Sequence, residues 1–119
     1  MVQRSGTFAV ATEAAADGLV VRLSGEMDLT AADPFCSAVL PWLSGFRAEQ
    51  VTVDCGSLDF VALAGLDLLL EATSRCRPGG RISLVSPPET LARLLDFTAA
   101  RSQFTVVDIH DAAGSVAAV

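Results

Sequence analysis

The sequence predicts an α/β fold in which helices pack on a mixed sheet of about five strands. Segments 7–14 (TFAVATEA) and 19–25 (LVVRLSG) are rich in β-forming residues, and Asp17-Gly18 between them is a turn signal, which predicts an N-terminal antiparallel hairpin. From residue 50 onward strands alternate with helices, an order that requires parallel strands joined by right-handed crossovers. A length of 119 residues with 51% hydrophobic residues suits one domain with one core.

The first helix is expected over residues 31–46. Four apolar side chains recur on one face at helical spacing: Phe35, Val39, Leu43 and Phe46. Trp42 shares that face and is expected in the core. Thr30 and Asp33 fit a capping box at the helix start. Pro41 removes an interior amide donor, so we expect it to bend or shorten the helix.

The central segment predicts a strand at 50–54 (QVTVD) and a second helix over Leu63–Arg77. The inward side chains of this helix are Leu66, Leu69, Leu70 and Cys76, and its polar stripe is Asp67, Glu71 and Ser74. Pro78-Gly79-Gly80 ends the helix. Glu71 and Arg75 are spaced to form an i, i+4 ion pair.

The last third predicts a strand at 81–86 (RISLVS), a third helix that opens at Pro87-Pro88-Glu89-Thr90, and a final strand at 104–108 (FTVVD). The third helix is expected to bury Leu91, Leu94 and Leu95. No repeat or linker interrupts the pattern, so residues 1–119 are expected to form a single domain. The segment 109–119 is weakly patterned and is expected either to fray or to add a partner contact.

The charge pattern excludes several classes of function. A net charge of −6, with eight Arg and no Lys, argues against nucleic-acid binding and favours protein partners. Without Lys there is no phosphate-loop lysine and no Schiff-base chemistry. The single histidine, His110, has no metal ligand or nucleophile at a suitable spacing. Asp54 and Asp59 form a carboxylate pair without a partner base or nucleophile. We therefore expect neither an enzyme nor a bound metal or cofactor.

Cysteine usage and hydropathy predict a cytoplasmic protein. Cys36, Cys55 and Cys76 are odd in number and widely spaced, which suits small buried side chains in a reducing compartment. There is no apolar run long enough for a signal peptide or a membrane span, so no direct membrane contact is expected.

Four motifs occur in an order that matches one known family. Segment 20–32 (VVRLSGEMDLTAA) is a strand that ends in Gly-Glu-x-Asp before a helix, and segment 51–70 (VTVDCGSLDFVALAGLDLLL) leads from a strand with Asp through a Phe-containing loop to a helix start. A Gly-Gly-x-Ile-x-Leu-Val strand and segment 93–108 (RLLDFTAARSQFTVVD) follow. From about residue 8 to 108 the chain resembles the STAS domain family, and in particular its anti-sigma factor antagonists.

The resemblance implies the STAS fold and docking on a kinase-type anti-sigma factor of the histidine-kinase-like ATPase fold. In the best-known members, the unphosphorylated domain binds the anti-sigma factor and frees the sigma factor, and phosphorylation of a serine at the start of the second helix breaks the complex. Aligning Gly65-Leu66 with the family's Gly-Leu places Leu63 at that serine. Leucine has no hydroxyl to accept phosphate, so the usual charge switch cannot operate there.

The candidate partner-binding residues follow from the same alignment: Asp28, Ala62, Leu63, Gly65 and Asp67. Asp28 either lies near the partner surface, as the matching family residue does, or serves the start of the first helix. Leu63 either forms part of an apolar contact surface or packs into the core. Asp67 replaces the family's second glycine and is expected to be an ordinary solvated carboxylate.

Two serines are weak alternative phosphorylation sites. Ser57 is expected in the loop before the second helix, and Ser74 on the exposed stripe of that helix. No capping side chain stands at positions 62–64, so Asp59, Ser57 or water must satisfy the first amides of the helix.

The leading hypothesis is therefore an anti-sigma factor antagonist-like module without the phosphoserine switch. One alternative is a stand-alone STAS subunit that docks on the ATPase of an ABC transporter for lipids, since such subunits share the fold and motifs. Another is a degenerate signalling scaffold, which the loss of the serine favours slightly. Fold alone does not decide between them.

Overall fold

The computed structural model describes residues 2–15, 18–45, 50–76 and 81–108. Within these ranges the strands are β1 Val2–Ser5, β2 Phe8–Ala15, β3 Gly18–Met27, β4 Gln50–Val61, β5 Arg81–Val85 and β6 Thr105–Val107. The α-helices are α1 Ala32–Gly45, α2 Leu63–Arg75 and α3 Glu89–Phe97. One-turn 3-10 helices occupy Leu29–Ala31 and Arg101–Gln103.

The six strands form one sheet in the order β1-β2-β3-β4-β5-β6. β1, β2 and β3 pair antiparallel, and β3, β4, β5 and β6 pair parallel. Each parallel connection passes through a helix and steps in the same direction across the sheet, so right-handed crossovers bring α1, α2 and α3 to one face. The predicted mixed sheet with an N-terminal hairpin is confirmed.

One apolar core fills the space between the sheet and the helices. Alternate strand residues point into it, as expected for a sheet covered on one face. The predicted helix residues Phe35, Val39, Leu43, Leu66, Leu69, Leu91 and Leu95 are all buried. Trp42, Leu70, Cys76 and Leu94 are partly buried and pack against the same core.

The sheet is more extensive than the sequence predicted in two places. β1 was missed because Val2–Ser5 has no apolar alternation of its own, and it pairs with β2 across a tight turn at Gly6, whose φ is +59°. β4 was expected to end at Asp54, but it continues to Val61 because residues 57–61 pair with the end of β3. Ser57 therefore lies in a strand rather than in the loop where it was expected.

The start of the first helical segment is capped differently from the prediction. Asp28, not Thr30, is the N-cap residue: its Oδ1 accepts hydrogen bonds from the Thr30 N–H at 2.9 Å and the Thr30 hydroxyl at 2.6 Å. The expected capping box with Asp33 is therefore wrong, because Thr30 already lies inside the preceding 3-10 turn. Pro41 lies inside α1 at an exposed position, and the helix continues past it to Gly45.

Several predicted features lie outside the described residues: Asp17 of the hairpin turn, Phe46, Arg77 to Gly80, and the segment 109–119 with His110. Among the helices that are described, none combines the length and the apolar character that crossing a membrane requires.

Candidate functional site

The start of α2 lies where the carboxyl ends of β3 and β4 meet, which is the edge of an α/β sheet where binding sites usually form. The Ala62 N–H donates a hydrogen bond to the carbonyl oxygen of Met27 at 2.9 Å and so ties the end of β4 to the end of β3. The amides of Gly65 and Leu66 both donate to the carbonyl of Ala62, at 2.9 and 3.2 Å. These bonds fix the position of the first turn of α2.

Gly65 allows this close approach because it has no side chain. A Cβ at this position would lie 2.5 Å from the Met27 carbonyl oxygen and 3.0 Å from Val61 Cγ1. Real Cβ atoms do not come so close to a backbone oxygen. Gly65 is buried, so it holds the first turn of α2 close to the end of β3 and is not itself exposed.

Leu63 is the first residue of α2, and 54% of its surface is exposed. Of the two interpretations of this residue, packing into the core is therefore excluded. Ala62, the N-cap residue, makes no side-chain cap bond, and the first turn contains no acidic residue. Neither Asp59 nor Ser57 caps the helix, so this helix start presents an apolar side chain at its edge.

A β-bulge exposes a second apolar residue beside Leu63. The register of β4 against β3 shifts between the Gly25–Leu58 pair and the Glu26–Phe60 pair, which leaves Asp59 as an extra residue. Alternation is lost there, so that Leu58 and Val61 are buried while Asp59 and Phe60 both face solvent. Phe60 is 45% exposed as a result.

Helix α3 forms the opposite wall of a shallow groove. The groove has a volume of about 520 Å³ and runs between residues 60–63 and one face of α3, which presents Thr90, Arg93, Leu94 and Phe97. The Thr90 hydroxyl accepts a hydrogen bond of 3.2 Å from the Val61 N–H, which attaches α3 to the end of β4. Phe97, at the end of the groove, is 91% exposed. We call this surface, residues 60–63 with the α3 face, the apolar groove.

Sequence reasoning missed Phe60 and Phe97 as site residues. Phe60 was assigned to a loop. The bulge that turns its side chain toward solvent leaves no signal in the sequence. Phe97 had a weak signal, because it falls off the buried stripe formed by Leu91 and Leu95 in α3.

Asp28 lies one residue beyond Met27, near the start of α2, and its carboxylate is held by Thr30. The hydrogen bond from the Thr30 hydroxyl, followed by the bond from the Thr30 N–H, lowers the pKa of Asp28. The carboxylate therefore stays charged at neutral pH. The interpretation of Asp28 as the acceptor at a helix start is confirmed.

Two exposed carboxylates neighbour residues that line the apolar groove. Asp67 is exposed on α2 one turn beyond Leu63, the i, i+4 spacing that places two side chains on one helix face. Glu26 on β3 is the register partner of Phe60 on β4, and it too is exposed. Asp59, the extra residue of the bulge, is also exposed and directly precedes Phe60.

The two alternative serines lie apart from the apolar groove. Ser57 is exposed in β4, in register with Ser24 of β3, beside a depression lined by the first three strands. Ser74 is exposed near the end of α2, and its hydroxyl donates a 2.7 Å hydrogen bond to the carbonyl of Glu71. Glu71 also forms the predicted ion pair with Arg75, at 3.0 Å.

Comparison with known proteins identifies a family. Residues 10–102 match the family model described as "Mlab, STAS domain". A comparison with curated proteins found no match.

Solved structures share the fold at low sequence identity. An anti-sigma factor antagonist from Mycobacterium paratuberculosis superposes with a TM-score of 0.75 at 18% identity, covering 92% of this chain and 93% of its own. Unphosphorylated SpoIIAA, an anti-sigma factor antagonist, gives 0.68 at 19% identity over 92% and 99% of the two chains. The phosphorylated form of SpoIIAA, described as a Bacillus cell fate determinant, gives 0.67 at 19% identity over 90% and 98%.

Proposed function

Because this chain belongs to the STAS domain family, we propose that it is an anti-sigma factor antagonist-like module that docks on a kinase-type anti-sigma factor and lacks the phosphoserine switch. The observation that carries the proposal is the exposed Leu63 at the start of α2. It occupies the position that the family resemblance assigns to the phosphorylated serine.

Phosphate at a helix start changes the charge of the surface there. A phosphoserine adds about two negative charges, and the N-terminal end of a helix dipole stabilises them within the domain. A partner surface that fits an apolar helix start does not accept such charges without a large desolvation cost. Leu63 cannot gain this charge, so the docking surface of this protein is constant.

The proposed activity is binding rather than catalysis. The Asp54 carboxylate accepts a hydrogen bond from the Gly56 N–H at 2.9 Å, which is a local contact within β4. Asp59 is exposed in the bulge further along the same strand. In the part of the chain that the structure describes, no three His, Cys, Asp or Glu side chains are grouped to hold a metal ion.

The proposed partner is an anti-sigma factor of the histidine-kinase-like ATPase fold, and the proposed compartment is the cytoplasm, where sigma factors act. The net charge of the chain, −6, agrees with a protein partner rather than with nucleic acid. A cation-rich nucleic-acid surface is not expected, because four arginines form ion pairs with carboxylates of the same chain.

Affinity capture of the tagged protein from its own cells, followed by mass spectrometry, tests the proposal. Recovery of a histidine-kinase-like anti-sigma factor at a defined stoichiometry is the expected result. Leu63→Glu, which places a negative charge at the exposed position, should prevent that recovery, whereas Ser74→Glu on the same helix should not.

Two outcomes would replace the proposal. Capture of a transporter ATPase would assign the chain to the STAS subunits of ABC lipid transporters. Capture of no partner at all would favour a degenerate signalling scaffold.

A further inference from the structure

We propose that the docking surface extends across the apolar groove to Phe97 of α3, and that it takes a partner face with an apolar centre bordered by arginine or lysine. This inference rests on the proposed function and adds the chemistry of the partner surface. It also assigns the partner contact to α3, an element that the alignment with the family's switch site does not include.

The apolar groove gathers three exposed apolar side chains. Leu63, Phe60 and Phe97 are each about half exposed or more, at 54%, 45% and 91%, and all three line the apolar groove. Isolated exposed apolar residues are ordinary on a protein surface, but several around one concave surface are typical of an interface. The apolar surface therefore spans two helices and a strand end.

Helix α3 is held rigidly against the rest of the domain. Thr90 lies in the first turn of α3, where its hydroxyl accepts the bond from the N–H of Val61 in β4. Leu91 and Leu95 on the core-facing stripe of α3 are fully buried, which fixes the rotation of the helix. Phe97 is thus presented from an anchored helix, and little conformational freedom is lost when a partner covers it.

Near the apolar groove, two carboxylates have no arginine partner among the described residues. Of the arginines whose side chains the structure describes, four form ion pairs, with Glu13, Glu71, Glu89 and Asp96. The remaining one, Arg81, donates to the Thr105 hydroxyl and the Phe104 carbonyl. Glu26 and Asp67 are exposed and take part in none of the ion pairs found among the described residues.

These two free carboxylates stand beside the apolar residues. Glu26 is the register partner of Phe60, and Asp67 follows Leu63 by one turn. On the α3 side the nearby Arg93 is neutralised by Glu89 at 2.6 Å. The border of the groove therefore carries net negative charge on the side of β3 and α2. Electrostatic complementarity requires cations at the matching border of the partner, where they speed association. The carboxylates of this chain repel partners with acidic surfaces.

The test measures binding of purified histidine-kinase-like anti-sigma factors from the same organism to the full chain. Phe97→Ala should raise the Kd about tenfold or more, as expected for an aromatic contact residue. Val2→Ala, an exposed apolar residue on the edge strand β1, is the matched control and should leave the Kd unchanged. Because Phe97 is almost fully exposed, its variant should keep the wild-type Tm.

Single-charge variants test the second half of the inference. Asp67→Asn and Glu26→Gln should each lower the association rate about threefold in low salt, and the difference should disappear in 0.5 M salt, since ions screen charges at about 4 to 5 Å there. Glu13→Gln changes the net charge equally near the opposite end of β3, and it should have little effect.

Normal binding by Phe97→Ala and by both charge variants would overturn this inference while leaving the proposed function intact. Failure of the wild-type chain to bind any such anti-sigma factor would overturn both.

Discussion

The N–H of Ala62 donates a 2.9 Å hydrogen bond to the carbonyl oxygen of Met27, and this bond joins the last residue of β3 to the residue before α2. The same carbonyl oxygen faces Gly65 in the first turn of the helix. These contacts hold the start of α2 against the ends of β3 and β4. They therefore determine where the exposed Leu63 lies.

Gly65→Ala should destabilise the protein by roughly 2 kcal/mol, because the new methyl group would overlap the Met27 carbonyl and force a backbone shift. Urea unfolding followed by circular dichroism measures the change. Gly56→Ala is the control, since the closest contact of its Cβ would be the movable Asp54 Oδ1, at 3.2 Å. Equal stability of Gly65→Ala and wild type would contradict the close approach.

Leu63→Ser should change the free energy of unfolding by no more than about 0.5 kcal/mol, because the side chain is largely exposed. Leu66→Ala in the same helix should cost about 2 to 5 kcal/mol, because Leu66 is fully buried in the core. Denaturant unfolding of both variants separates the two environments. A large loss of stability in Leu63→Ser would mean that Leu63 packs into the core after all.

Thr30→Val should raise the pKa of Asp28 toward its ordinary value, because the hydroxyl that lowers it is removed. A depressed pKa in the folded state stabilises the protein above the unfolded-state pKa, and that stability is lost as pH falls through the folded-state value. Wild type should therefore be more stable than Thr30→Val at neutral pH. The difference in the free energy of unfolding should shrink as pH falls through the pKa of Asp28. NMR titration of the Asp28 carboxyl carbon measures the shift.

Thr30→Ser keeps the hydroxyl and serves as the control in that titration. An Asp28 pKa that is the same in wild type and Thr30→Val would show that the hydroxyl bond does not hold the carboxylate.

Cys55 should resist thiol reagents while the protein is folded. Burial, with a smaller effect from Asp54, raises the pKa of Cys55 to about 12, so its thiolate is scarce at pH 8. Cys36 and Cys76 are only partly buried and should react slowly. Modification followed by mass spectrometry should label Cys55 only after unfolding in urea. Labelling of Cys55 in the native protein would contradict its burial.

The sequence predicted the fold well where a periodic pattern and burial agree. Leu66, Leu69, Leu91 and Leu95 repeat at helical spacing, and all are buried. β1 escaped detection because its pairing with β2, rather than any alternation of its own, makes Val2–Ser5 a strand.

The candidate site was harder to predict, because two of its features depend on tertiary contacts. The exposure of Phe60 results from a register shift against β3, which no local pattern in β4 reveals. Phe97 becomes part of the groove only because the Thr90 hydroxyl attaches α3 to Val61. Leu63 could be located by resemblance, but its exposure required the structure.

The most direct test of the central claim is the affinity of the purified chain for the proposed kinase-type anti-sigma factor. It is measured before and after incubation of the complex with ATP, and the intact mass of the chain is recorded in parallel. We predict the same Kd in both measurements and no mass increase from phosphate. A phosphorylated chain that dissociates from the partner would contradict the claim that this docking surface has no phosphorylation switch.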